Sequence, residues 1–495
     1  MGAADGGRMN RVAARFQESV TDAGVGMTVN NDYEAFLDAK LHVGADYGFD
    51  PIWMPESLFP FQASLVEWAC RKGRAAIFAD CGLGKTPMQL TWAENVARKT
   101  GGRVLILTPL AVAFQTVNEG AKFGVEVVHR RDGLHGGDRI VVTNYERLHH
   151  FSPDDFEGVV CDESSILKSF DGETRKAITD FMRKRPYRLL CTATAAPNDY
   201  LELGMSSEAL GYMGWRDMLT KFFKQDNDKA DSSKRFRGTS DGRVQVGGFG
   251  KFRLRPHAER DFWRWVCSWS RAMRKPSDLG FDDGTFRLPP LHVRQHIVEA
   301  KRPRDGYLFD MPAVGLAEQR SDLRHTIIER CAMAAELCNA HDLPAIAWCN
   351  LNEEGNLLTK AIRGAVQVSG NDSEEHKEEV FNGFMRGNIR VLVTKPVIGG
   401  FGLNLQHCAH QTYFPSHSYE QYYQSIRRCW RFGQKNAVTV DMITTNGQDN
   451  VLSNLQRKSD AASVMFDRMV EMMRDELKIV RINDYLKKER VPSWL

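Results

Sequence analysis

The sequence predicts an α/β protein made of two doubly wound parallel-sheet domains, with a basic, partly helical insertion between them. Three observations lead there. Short apolar runs alternate with helix-period stretches over residues 55–205, and the same alternation resumes after residue 290. Between the two, the composition turns polar, basic and aromatic. A chain of 495 residues has room for more than one core, and 42% hydrophobic with 26% charged residues suits a protein that folds around such cores.

The elements follow in order. Residues 1–54 form an N-terminal extension, whose first 28 residues are Gly/Ala-rich and expected to be mobile. Short helical and loop signals run from Asp32 to Pro55. The first domain, 55–205, carries strand-like runs at Ala75–Ala79, Val104–Thr108, Val125–His129, Ile140–Thr143, Gly158–Cys161 and Arg188–Thr192. Helical periodicity lies between them at Gln62–Arg71, Met88–Arg98 and Gly172–Arg183. In the insertion, 206–290, residues 226–250 read as a Gly-rich loop and Ala258–Arg274 as an aromatic, basic helix. Its Phe262, Trp263, Trp265 and Trp269 recur at helical spacing, which suits a buried face better than base stacking. Leu288-Pro289-Pro290 is a stiff connector. The second domain, 291–458, has strand-like runs at Ala345–Cys349, Ala365–Val368, Ile389–Thr394, Gln411–Phe414 and Val438–Ile443. Its helices fall at Asp322–Asn339 and Ser373–Arg386, and a charged helix over Gln456–Lys488 fills most of the C-terminal extension, 459–495.

Charge and cysteine usage narrow the function classes. The net charge is only +3, yet residues 216–287 hold 17 Lys/Arg against 10 Asp/Glu. Such a local excess is the pattern of a phosphate-backbone contact, and equally that of a solvated loop. The ten cysteines contain no C-x-x-C pair and mostly sit in apolar runs, as reduced core thiols do. His407-Cys408-Ala409-His410 is dense in ligand types but has no completing partner nearby, and reads as structural. No apolar run approaches the roughly 18 residues that span a bilayer. The N-terminus lacks a signal-peptide core, so a cytoplasmic location is expected, in the host cytoplasm if the gene is a phage gene.

The stretch Ala79-Asp80-Cys81-Gly82-Leu83-Gly84-Lys85-Thr86 carries the chemistry. It follows an apolar strand and precedes a helix, where backbone N–H groups can cradle phosphates. Lys85 can reach the β- and γ-phosphates of a nucleoside triphosphate and the Thr86 hydroxyl can ligate Mg²⁺. The loop is not a full G-x-x-x-x-G-K-[ST], because Ala79 stands at the first glycine position. Asp162 and Glu163 follow the strand-like run Gly158–Cys161. An acid there can hold Mg²⁺ (Asp162) and a neighbour can polarise the attacking water (Glu163). In the second domain, Gly399–Gln406 and then Gln424–Gln434 stand out. Arg428 and Arg431, three apart on a helix face, can enter a nucleotide site as arginine fingers do.

Together these stretches resemble superfamily two helicase-type motors, and within them the Swi/Snf-like ATPases, particularly short versions typical of bacteriophages. The resemblance covers roughly residues 55–205 and 288–458. It implies two RecA-like domains that bind ATP with Mg²⁺ in the cleft between them. Nothing in that family requires Gly at position 79. Gln62 matches its adenine-reading glutamine, and Gly82, Leu83, Gly84, Lys85 and Thr86 its phosphate loop. Thr108-Pro109-Leu110 and Thr143-Asn144-Tyr145-Glu146 look like its DNA-strand contacts, so Thr108, Pro109, Asn144 and Tyr145 are expected at nucleic acid, with Lys395 and Asn404 in the second domain. Thr192-Ala193-Thr194 with Pro197-Asn198 resembles the segment coupling ATP state to DNA grip. Gly400, Gly402, Asn404 and Leu405 match "GxGxNL", and Gln424, Arg428, Arg431 and Gln434 match "QxxxRxxRxGQ", which places Gly402 and Gln424 at ATP. The departures are Asp162-Glu163-Ser164-Ser165 for the common Asp-Glu-x-His, a loop one residue short at Ala79–Gly82, and no Asp-Trp-Asn-Pro at Pro415–Tyr419. The activity implied is a DNA-stimulated ATPase translocating on double-stranded DNA, sequence-independently. A strand-separating DNA or RNA helicase and a nucleotide-switched clamp with negligible hydrolysis are the alternatives.

Overall fold

The structure is a computed structural model that describes residues 46–109, 112–133, 136–168, 172–196, 200–226, 243–246, 250–299, 323–400 and 403–488. The expected mobile terminus 1–28, most of the loop 226–250, and Leu110, Pro197, Asn198 and Gly402 lie outside the described residues.

In the first half, β1 (Arg74–Ala79), β2 (Val104–Thr108), β3 (Val128–His129), β4 (Ile140–Asn144), β5 (Gly158–Asp162) and β6 (Tyr187–Thr192) close to the expected runs. Then come β7 (Phe223–Asp226), β8 (Arg243–Val246) and β9 (Gly250–Leu254), a small antiparallel sheet in the order β7-β9-β8, and β10 (Ser270–Met273). The large sheet runs β10-β1-β6-β5-β2-β4-β3, parallel throughout. Every position of β2, β4 and β5 is buried, which is why these strands read as unbroken apolar runs. Around the sheet stand α1 (Pro60–Lys72), α2 (Lys85–Thr100), α3 (Ala113–Phe123), α4 (Glu173–Arg183), α5 (Glu202–Leu210), α6 (Trp215–Phe222) and α7 (Glu259–Trp269).

Residues 206–290 differ from a separate insertion. The aromatic helix ends at Trp269, and the chain turns at once into β10, which pairs with β1 from Ala76↔Ser270 to Ala79↔Met273. Phe262, Trp263, Trp265 and Trp269 are buried in the same core as β1, with Trp269 edge-on to Phe78 at 6.2 Å. The aromatic spacing is therefore core packing, as expected. The helical reading overran to Arg274 because Ser270–Met273 is too short to show its own period, and only pairing with β1 makes it a strand.

In the second half, β11 (Leu291–Val298), β12 (Ala345–Trp348), β13 (Ala365–Val368), β14 (Val391–Thr394), β15 (His410–Tyr413) and β16 (Val438–Thr445) form a parallel sheet in the order β11-β16-β15-β12-β14-β13. The helices are α8 (Ile327–Asn339), α9 (Asn352–Ala361), α10 (Glu374–Met385), α11 (Pro396–Gly399), α12 (Tyr419–Cys429) and α13 (Asp449–Lys488). β11 went unread because it is an edge strand with most side chains in solvent, so it shows no apolar run. The two expected doubly wound parallel sheets are thus both present.

The boundary expected at residue 458 falls inside α13. This helix starts in the second core through Val451 and Leu455, and then packs Met465, Phe466, Met469, Val470 and Met473 into the first. Arg274 on the first half donates to Ser463 at 2.9 Å and pairs with Asp467. One continuous helix therefore spans both halves.

Candidate nucleotide site between the two halves

The phosphate loop is positioned by β1, buried along its last five residues, and by α2. Gly82 and Gly84 have φ of 88° and 76°, the left-handed region that glycine enters without steric cost. A Cβ on Gly82 would stand 2.6 Å from the Phe432 nitrogen of the second half, so that glycine is also required by close approach. Lys85 starts α2 and folds back to donate to the Ala79 carbonyl at 3.1 Å. Buried Gln62 donates to the Leu83 carbonyl at 2.9 Å and accepts from the Phe59 amide at 3.0 Å, which ties α1 to the loop.

Asp162 and Glu163 emerge at the carboxyl end of β5, with β6 between them and β1 in the sheet. Active clefts of parallel sheets form at such strand ends. Gln89 on α2 donates to Asp162 at 2.6 Å. Gln89 lies one turn after Thr86 on α2, so this bond ties the helix that carries Thr86 to the carboxyl end of β5. Burial, then the neighbouring Glu163 charge, pushes the Asp162 carboxyl up to about 6. A buried pair of carboxylates at a strand end supplies the hard oxygen donors that Mg²⁺ takes. Among the described residues no group of three or more His, Cys, Asp or Glu side chains is placed to hold a metal ion. Glu163 has φ of 49°, the one non-glycine in that region among the described residues. Backbone strain of this kind costs of order 1–3 kcal/mol and is held by its surroundings.

Across the cleft, α12 presents Gln424 and Arg428, and the turn after it Arg431. A closed circuit of polar contacts links the halves. Thr192 donates to Glu163 at 3.3 Å, and the Thr194 amide donates to Thr192 at 3.1 Å. Gln424 donates to Thr194 at 3.4 Å and accepts from Arg428, whose guanidinium returns to Glu163 at 3.8 Å. α12 ends at Cys429, so Arg431 does not share a helix face with Arg428 as expected. It comes in from the following turn, and both arginines donate to the Leu403 carbonyl, at 3.4 and 3.2 Å. Burial, then repulsion from Arg428, brings the Arg431 guanidinium down to about 10, and its Nε has no partner among the described residues. Two neighbouring like charges, one buried and one half-buried, favour an anion between them.

The residues expected at nucleic acid are placed otherwise. Thr108, Asn144 and Tyr145 are buried. Thr108 donates to the Thr143 carbonyl at 3.5 Å, and the Tyr145 hydroxyl donates to the Asp162 carbonyl. Thr108 and Tyr145 thus support the acidic strand end, and Tyr145 also lines a cavity between the halves. Pro109 and Asn404 line the same cavity, of about 860 Å³, beside Glu163. Lys395 is half-buried at the start of α11. The cavity wall carries Glu119, Glu146, Glu163, Glu374, Glu378 and Glu420 against Lys122, Lys168 and Lys377. The lining residue Glu374 pairs with Arg147 at 3.2 Å and its neighbour Glu375 with Arg131 at 3.1 Å, both from the first half. Closed in this way, the cleft is an acidic chamber rather than a basic groove.

Sequence reasoning passed over Gln89, Asp80, Tyr423 and Arg427. Gln89 was detectable as a polar residue one turn into the helix after Thr86, where core would otherwise be expected. The ten cysteines are free and buried. His410 bonds to Asp441 at 2.8 Å, and the His407 ring packs on Phe384 at 4.7 Å, so both serve the second core. Among the described residues no helix is long and apolar enough to cross a membrane.

What fold and site define together is a two-lobed α/β protein whose Gly-rich loop Asp80–Lys85 on one lobe faces Arg428 and Arg431 on the other. No protein-family model matches the chain, and no curated protein matches it. Among solved structures it is similar to the Sulfolobus solfataricus SWI2/SNF2 ATPase core in complex with dsDNA, at 14% identity over 86% of this chain and 98% of that chain, with a TM-score of 0.38.

Proposed function

We propose that the protein is an ATP hydrolase of the Swi/Snf-like motor type, with RecA-like halves, whose turnover is stimulated by DNA. The observation that carries the reading is the pair of arginines, buried Arg428 and half-buried Arg431, set against the phosphate loop by the other half of the molecule. Lys85 and the loop amides bind the triphosphate, and Gln62 orients the loop toward adenine. Gly402 and Gln424 complete the nucleotide-binding set, as the motifs suggest. Thr86 and Asp162 hold Mg²⁺, which when bound offsets phosphate charge. Glu163 orients water, and Arg428 and Arg431 stabilise charge on the γ-phosphate. Contact between the arginines and ATP favours the closed cleft, and loss of the γ-phosphate removes that preference. Repeated closure and opening moves the halves along double-stranded DNA.

The acidic chamber bears on where DNA binds. A duplex is held from outside by exposed basic residues of α6, β7 and α7, such as Arg216, Lys224, Arg260 and Arg264, in contacts that are salt-sensitive and sequence-independent. Asn404 and Lys395 reach nucleic acid only as the cleft opens. The deciding experiment compares ATPase rates with single-stranded DNA, double-stranded DNA, RNA and no nucleic acid. Stimulation by duplex, lost in Lys85→Ala, Glu163→Gln and Arg428→Ala while each remains folded, supports the motor. ATP binding without turnover under all four conditions overturns it in favour of a nucleotide-switched clamp.

A further inference from the structure

Arg427, next to the arginine assigned to catalysis, points elsewhere. Its guanidinium meets the Asp80 carboxylate of the phosphate loop and the Cys81 carbonyl at 3.4 Å. The Tyr423 hydroxyl, also on α12, donates to the same carboxylate. Asp80 is otherwise engaged only within its own lobe, accepting from the Cys81 amide at 2.6 Å and donating its amide to Met273 at 3.0 Å. Arg427 lies over the Trp430 ring at 4.8 Å, and its side chain is 3% exposed against 10% for Asp80.

We propose that Arg427 and Asp80 form a charged latch across the cleft, with Arg427 a positioning residue that aims Arg428 and Arg431 at the phosphate loop. This rests on the reading of the cleft as one nucleotide site. Consecutive helical side chains point about 100° apart, so with Arg427 held to Asp80 the rotation of α12 is set and Arg428 must face Glu163. The two charges come from opposite lobes. In the open state both meet water; in the closed state each is buried and needs the other. Removing one charge therefore penalises closure, whereas removing both relieves much of that penalty.

The test uses the full chain with a dye pair at Asp180→Cys and Lys360→Cys, exposed positions on the two lobes; the native cysteines are buried. Energy transfer reads closure with and without ATP, and kcat and KM are measured on the same variants. Asp80→Asn keeps the oxygen that the Cys81 amide needs. Asp80→Asn and Arg427→Gln should each shift the closed-to-open ratio by roughly a hundredfold toward open. They should lower kcat far more than they raise KM. The double variant should lie closer to wild type than the sum of the singles, and Arg427→Lys should retain most closure. Wild-type energy transfer in Arg427→Gln, or losses that simply add in the double variant, would overturn the latch. Because closure is read without nucleotide, absence of ATPase activity in the wild-type chain would refute the proposed function and leave this test intact.

Discussion

Replacing Asp162 by Asn should stabilise the metal-free protein, an inversion of the usual outcome at a buried carboxylate. In the folded state burial and the Glu163 charge raise this group from an ordinary aspartate value of 3.8 to about 6. A shift of about 2 units corresponds to about 3 kcal/mol. The sign follows from the direction. A folded pKa above the unfolded one contributes stability that is fully present below pH 4 or so and is lost as pH rises through about 6. Metal-free wild type should thus weaken between about pH 4 and pH 6, by up to about 3 kcal/mol from this group, and change little above pH 7. Asn keeps the acceptor for Gln89, stays neutral, and removes that slope. At about 2–4 °C per kcal/mol for a domain of this size, the first half should melt up to roughly 10 °C higher at pH 8 in the variant. Mg²⁺ with ATP should raise the melting temperature of wild type and leave the variant nearly unmoved. Differential scanning calorimetry in EDTA from pH 5 to 8 decides it. A variant less stable than wild type at pH 8, or one that keeps the step near pH 6, would refute the reasoning.

Gly82→Ala should open the molecule. The left-handed backbone costs about 1–2 kcal/mol with a side chain, and the new Cβ would meet the Phe432 nitrogen at 2.6 Å. Small-angle scattering should show a larger radius of gyration with melting of the isolated cores little changed. In the second half, Arg330 and Glu354 meet at 2.7 Å with exposures of 0% and 1%. Glu354→Ala should cost about 3–5 kcal/mol in urea unfolding, and Arg330→Met with Glu354→Leu much less. Asp441 accepts from His296 and His410, each at 2.8 Å. Burial raises its pKa, but those bonds outweigh it and hold the carboxyl below the ordinary range. Its stabilisation is present at neutral pH and lost as pH falls through the depressed value. Asp441→Asn should therefore lower the unfolding free energy from urea denaturation at pH 7 by about 1–3 kcal/mol and flatten the acid limb.

Most strands were legible because buried parallel strands write their burial directly as apolar runs, as Val104–Thr108 and Val391–Thr394 do. β10 and β11 were not. One is a four-residue tail of an aromatic helix and the other an edge strand facing solvent, and each depends on a distant partner, β1 or β16. In the site, Gln62, Lys85, Asp162, Glu163, Gln424 and Arg428 are brought to one cleft. Thr108, Asn144 and Tyr145 lie at strand ends with buried side chains, which was not legible, since spacing along a strand does not say which neighbour a side chain will meet.

The sequence by itself determined the two α/β halves and the phosphate loop. These follow from local rules: period, glycine conformation, and the order of strand, turn and helix. Only the tertiary structure decided that residues 259–273 complete the first sheet, that α13 spans both halves, and that Arg427 answers Asp80. Each of those depends on residues from about 190 to almost 350 positions apart meeting in a buried place, where the cost of an unpaired charge or an exposed tryptophan selects the partner.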